Sequence, residues 1–96
     1  MRIEWDDAKD LLNQEKHGVS FLEARSLFES EADHLEIFDS EHSDFEDRFI
    51  AIGPIERSLV VIVYTEREED IIRIIGARWT NNREQSLYRS YMDQNR

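Results

Sequence analysis

Three short strings carry side chains able to do chemistry. Lys16-His17-Gly18 sets an ammonium and an imidazole side by side before a glycine. Histidine exchanges a proton near neutral pH, so it could act as acid or base. The plainer role for both is to complement the C-terminal end of a helix, with His17 packed on a sheet. Thr65-Glu66-Arg67 could offer a carboxylate and a guanidinium to a phosphodiester, or simply form an exposed ion pair at a hairpin end, which stabilises little. In Arg78-Trp79 the guanidinium could bind phosphate and the indole could stack on a base; otherwise Trp79 is a core or interface aromatic. Arg48, Arg57 and Arg83 are further cations near strand ends. His34 and His42 lie among acids, at spacings that match no metal motif. Glycine-rich phosphate loops, Ser–His–Asp signatures and HExxH are absent from the sequence, and no metal or cofactor is expected.

The elements that must position these groups centre on Ser58–Arg67, in which Leu59 to Val63 is an unbroken block of Leu, Val and Ile. Such a run suits a strand covered on both faces, the middle of a sheet. Residues 1–5 read as a short strand. Asp6 or Asp7 caps a helix to about Lys16, with Ala8, Leu11 and Leu12 as its apolar stripe, and Gly18 stops it. Ser20 and Glu23 have capping-box spacing and open a second helix that buries Phe21, Ala24, Leu27 and Phe28. Strands follow at 34–38, 48–55, 58–67 and 71–78. Asn81 to Glu84 then opens a last helix with Leu87, Tyr88 and Tyr91 inward. Residues 39–47 are expected to be a mobile acidic connection. The order β-α-α-β-β-β-β-α, with helices grouped rather than alternating, indicates α+β with a mostly antiparallel sheet. If the last hairpin turns near Glu68–Glu69, Arg78 faces Leu59, and by the same arithmetic Arg48 pairs near Val63. One sheet end then gathers Arg57, Arg78 and Arg83. The other gathers Arg67 and Arg73, with Arg48 part-way along.

The chain has 96 residues, which allows one domain and one modest core. It has no cysteine and no apolar run approaching a membrane span, and its N-terminus is no signal peptide; a cytoplasmic protein is expected. The formal charge of −10 lacks the basic footprint of a generic nucleic-acid binder. That charge is uneven. Glu29 to Asp47 holds nine acids and no Lys or Arg, whereas Ile71 to Arg96 holds five Arg (Arg73, Arg78, Arg83, Arg89 and Arg96) against Glu84 and Asp93.

Taken together, Ile3-Glu4-Trp5-Asp6, Lys16-His17-Gly18-Val19-Ser20-Phe21 with Glu23-Ala24, Arg48–Gly53, Val61–Arg67 and Arg73–Arg78 resemble the BrnT family, the toxin halves of type II toxin–antitoxin pairs. The likeness runs along nearly the whole chain, as a single BrnT-like toxin domain over residues 1–96. It implies a RelE-like fold, metal-free RNA cleavage that blocks translation, and neutralisation by a BrnA-like ribbon-helix-helix antitoxin, through which alone the complex would meet promoter DNA. On matching positions it implies His17 as acid or base, Arg67 and Arg78 as phosphate-stabilising groups, and Glu66 as a base or a partner of Arg67. Lys16, Arg48, Arg57, Trp79 and Arg83 are candidates for binding RNA. RelE-like enzymes place their site where the central strand starts and the last strand ends, which favours the Arg78 end over the Arg67 end. The chain departs from the family pattern at Trp79, often basic, at Gly76, commonly Ser, and in its acidity. Those departures suit a second reading, a catalytically silent module that retains antitoxin binding. A third reading is an acidic interaction domain using residues 29–47.

Overall fold

In the computed structural model, which describes residues 1–94, the apolar run Leu59–Glu66 is β4, third of five strands in the order β1-β5-β4-β3-β2. The chain runs β1 (Arg2–Glu4), α1 (Asp7–His17), α2 (Phe21–Glu29), β2 (Leu35–Phe38), β3 (Arg48–Pro54), β4, β5 (Ile71–Trp79) and α3 (Asn82–Gln94). β2 to β5 pair antiparallel, and β1 lies parallel on the outer side of β5. The α+β class and element order expected from the sequence hold. Arg96 lies outside the described residues. No helix among them is long and apolar enough to cross a membrane.

The two N-terminal helices form for local reasons. The Asp6 side chain accepts from the Lys9 N–H at 3.0 Å, and Gly18 ends α1 at φ 71°, a left-handed conformation that glycine adopts without a Cβ penalty. Ser20 and Glu23 form the reciprocal capping box on α2. Phe21, Ala24 and Leu27 then bury against Ala51, Val60, Ile62, Tyr64, Ile74 and Ala77, the helix-covered face of the sheet. Close approach of this layer needs Gly53, where a Cβ would stand 2.7 Å from both His34 Cβ and Leu27 Cδ1.

α1 corrects the sequence expectation. Leu11 is 64 % and Leu12 57 % exposed, and the buried residue of the helix is Asn13. The reason is topological: β1 pairs with β5 only from Ile71 to Arg73, so the rest of β5 has a free edge. The Asn13 carboxamide completes that edge as a short strand would. Its Oδ1 accepts from the Ala77 N–H at 3.1 Å, and its Nδ2 donates to the Ala77 carbonyl at 2.8 Å and to the Val19 carbonyl at 3.0 Å. α1 therefore sits beside the sheet edge, and hydrogen bonding rather than an apolar stripe fixes it there.

Both hairpin registers differ from the expected ones. Arg78 faces Val61, not Leu59, because the β4–β5 turn spans Arg67–Asp70 and a bulge at Ile75 adds a residue to β5. Arg48 pairs with Thr65, not Val63, because the β3–β4 turn is tight at Glu56–Arg57, where the Ile55 N–H reaches the Ser58 carbonyl. Arg48 thus stands at the Arg67 end of the sheet rather than part-way along. The acidic connection is not featureless: it holds a 3-10 turn at Ser40–His42 and a His42–Asp39 contact of 2.9 Å.

Candidate functional site

Side chains of register partners share a face. On the face turned away from α2, three rows cross the sheet. At the Arg67 end lies Glu4–Arg73–Thr65–Arg48; next come Val63, Ile50 and Ile37; beyond them come Arg78, Val61, Ile52 and Leu35. The outer rows carry the cations and the floor between them is apolar. Val61 and Ile52 are buried, whereas Val63, Ile50 and Ile37 are half-buried. The helix-covered face is closed by its core.

The predicted residues fall into separate groups. Arg57 is locked on the helix side. It donates to Glu23 at 2.8 and 3.0 Å and to the Gly18 carbonyl at 2.6 Å, and it stacks 4.9 Å over Trp79. Trp79 is partly buried and packs against the core on one side. The Arg57 guanidinium, by hydrogen bonding, holds the Glu23 carboxyl below its usual range. Arg78 sits on the opposite face, bound to Glu84 at 2.8 and 2.6 Å; Glu84 in turn reciprocates the Asn81 cap of α3. That bidentate pair lowers the Glu84 pKa and raises that of Arg78. Arg83 lies in the exposed first turn of α3.

His17 and Lys16 are exposed at the end of α1, and no ion pair or hydrogen bond to either side chain is found among the described residues. His17 is four residues past Asn13, hence on the same face of α1 one turn on. Because Asn13 is bonded to Ala77, the end of α1 that carries His17 lies beside the end of β5 that carries Arg78. At the other end Arg67 pairs with Glu46 at 3.3 Å. Glu66 faces away from that pair, opposite Ile72 on the helix-covered side, among Glu68, Asp70 and Met1.

Two residues not singled out as candidates belong to the Arg67-end row. Arg73 donates to Glu4 at 3.2 Å, and Thr65 is 1 % exposed with its hydroxyl unpartnered. Their shared row becomes visible only once the span of the β4–β5 turn is known, since the bulge lies beyond them. Tyr64, on the covered face, donates to Glu36 at 3.0 Å; burial above all pushes its pKa up.

Residues 5–84 match the family described as "Ribonuclease toxin, BrnT, of type II toxin-antitoxin system". No curated protein sequence matches the chain. Among solved structures, the 1.1 Å crystal structure of the Brucella abortus ribonuclease toxin BrnT is similar with a TM-score of 0.64. It is 22 % identical in sequence and covers 85 % of this chain and 99 % of its own. That likeness shows a shared fold.

Proposed function

Since the chain belongs to the BrnT family of ribonuclease toxins of type II toxin–antitoxin systems, we propose that it cleaves RNA without a metal at the His17–Arg78 corner, and that a BrnA-like ribbon-helix-helix antitoxin neutralises it. A type II toxin has an antitoxin partner by the definition of the family. The observation that supports the location is the Asn13–Ala77 clamp, which holds α1, with His17 in its last turn, beside the strand that bears Arg78. In the reaction the ribose 2′-oxygen attacks the adjacent phosphorus as a base takes its proton. The P–O bond to the next ribose then breaks as an acid protonates the leaving 5′-oxygen. His17 serves one of these proton transfers. Arg78 stabilises the added charge on the phosphoryl oxygens, the role a planar guanidinium suits best. Lys16 and Arg83 add exposed cations for RNA, and Arg48 and Arg67 extend the cationic set to the far end of the face. The loss of translated message inhibits protein synthesis.

Arg78 is held by Glu84, so RNA must exchange for a carboxylate there, and the same is true of Arg67 and Glu46. That occupancy favours one alternative, a silent module that keeps antitoxin binding. Purified chain incubated with RNA in EDTA separates the two. The ribonuclease reading expects cleavage that His17→Ala and Arg78→Ala each abolish while the fold is retained. Intact RNA from folded protein refutes it in favour of the silent module.

A further inference from the structure

We propose that Arg48, Thr65 and Arg73 form a second phosphate-binding site, which holds a backbone phosphate of the RNA a few nucleotides away from the one that is cut. The location of the cut rests on the reading above; the site itself does not.

Three observations meet at this row. Arg48 is half-buried, its Nε lies out of contact with solvent, and that atom has no acceptor. Three carboxylates, Glu41, Asp44 and Glu46, line the same cleft as Arg48, yet none approaches within ion-pair distance. A half-buried guanidinium without an anion is costly, so the position is suited to one supplied from outside. Beside it, the Thr65 hydroxyl is buried without a partner. The main-chain N–H and C=O of Arg48 are spent on Ser43 and Asp39, away from β4, which makes Arg48 and Thr65 a pair of the closer, non-hydrogen-bonded kind. On the other side of Thr65 stands Arg73, tied to Glu4 by a single bond of 3.2 Å.

Arg48 and Arg73 are two strand spacings apart, roughly 10 Å. Two arginine side chains can close that span around one phosphate, with the threonine hydroxyl donating from the floor. Each other candidate guanidinium on this face must first leave a carboxylate, bidentate for Arg78; Arg48 need not. From Arg73 to Arg78 is about 16 Å along β5, so the row lies off the cleavage corner and on the same face. Its neighbours toward that corner, Val63 and Ile50, form an apolar floor on which bases could lie.

The chemistry fits the phosphate of a nucleic-acid backbone or free phosphate, and the test separates them. The folded chain is titrated with inorganic phosphate and, separately, with a 2′-O-methyl oligoribonucleotide that cannot be cut. Nitrogen–proton spectra follow the Thr65 amide and the Arg48 and Arg73 Nε–H signals. Both probes are expected to shift all three signals, the oligonucleotide at far lower concentration. Thr65→Val, which keeps the shape and removes the hydroxyl, should weaken binding several-fold, and Thr65→Ser should restore it. Arg48→Gln and Arg73→Gln should each weaken it by tenfold or more and reduce its salt dependence. An oligonucleotide that shifts other residues and leaves this row unmoved, or binds Thr65→Val and Arg48→Gln as it binds the parent, overturns the proposal. Shifts with phosphate and none with the oligonucleotide overturn the RNA assignment. Binding at the row by a chain that leaves RNA intact refutes the ribonuclease reading and leaves the site standing. Cleavage by Arg48→Gln and Arg73→Gln at the parent rate and affinity does the reverse.

Discussion

Replacing Asn13 by Ala tests the edge clamp on which the placement of α1, and with it His17, depends. The substitution removes three hydrogen bonds, at 2.8, 3.0 and 3.1 Å, from a buried position. It leaves the Ala77 N–H and the Ala77 and Val19 carbonyls short of a partner where β1 no longer covers β5. At about 1 kcal/mol for each bond lost, the cost is about 3 kcal/mol, more where water cannot reach the orphaned groups. Alanine's higher helix propensity returns only about 0.5 kcal/mol. Against a total stability of about 5–15 kcal/mol, this is a large fraction. The melting temperature should fall by roughly 10–20 °C in a domain of this size. Urea unfolding followed by far-UV circular dichroism gives the free energy, and hydrogen exchange of the Ala77 amide gives the location. Asn13→Asp supplies an internal control. Its carboxylate can still accept from Ala77 but opposes two carbonyls, so this variant should be destabilised at neutral pH and recover partly in acid, where its protonated form donates. A loss below about 1 kcal/mol for Asn13→Ala, or unchanged protection at Ala77, would refute the clamp.

Acid unfolding should report on Glu23 and Glu84, whose carboxyls are held below their ordinary value of 4.5 by Arg57 and Arg78 respectively. A depressed folded pKa adds stability above the unfolded value and loses it as pH falls through the folded one, so stability should decline below about pH 4.5; in Glu23→Gln/Glu84→Gln, urea midpoints between pH 5 and pH 2 should show a shallower decline. Glu84→Gln alone keeps an amide able to reciprocate the Asn81 cap but removes the charge that binds Arg78; anisotropy with an uncleavable RNA should show tighter binding, and an unchanged affinity would mean that Glu84 does not compete with RNA. Gly53→Ala forces a Cβ to within 2.7 Å of His34 and Leu27, and should cost about 1–3 kcal/mol in urea titration.

Much of the fold was legible because its signals are local. The Asp6 and Ser20 caps, the Gly18 stop and the unbroken apolar run of β4 each act over a few residues, and each appears where expected. α1 misled because Leu11 and Leu12 look like a buried stripe, while the residue that holds the helix is a polar Asn whose partner is 64 positions away. Register was misread by two positions in both hairpins because a bulge leaves no mark in an isoleucine-rich strand, and because turn length depends on hydrogen bonds rather than composition. The candidate cations were visible as residue types. Which carboxylate each one meets was not, since Glu23, Glu46 and Glu84 come from a helix, a loop and a helix at separations no periodicity connects.

The docking of β1 beside β5 also governs when this protein can exist during its own synthesis. Arg2–Glu4 pair with Ile71–Arg73, and Asn13 waits for Ala77, so β1 and α1 have no sheet partner until residues 71–77 are made. Contacts of such long sequence separation slow folding and leave a strand edge exposed meanwhile. A chain still on the ribosome before residue 77 lacks the clamp that holds α1 beside β5. On the proposed mechanism the cleavage corner is therefore assembled only after the sheet that carries it.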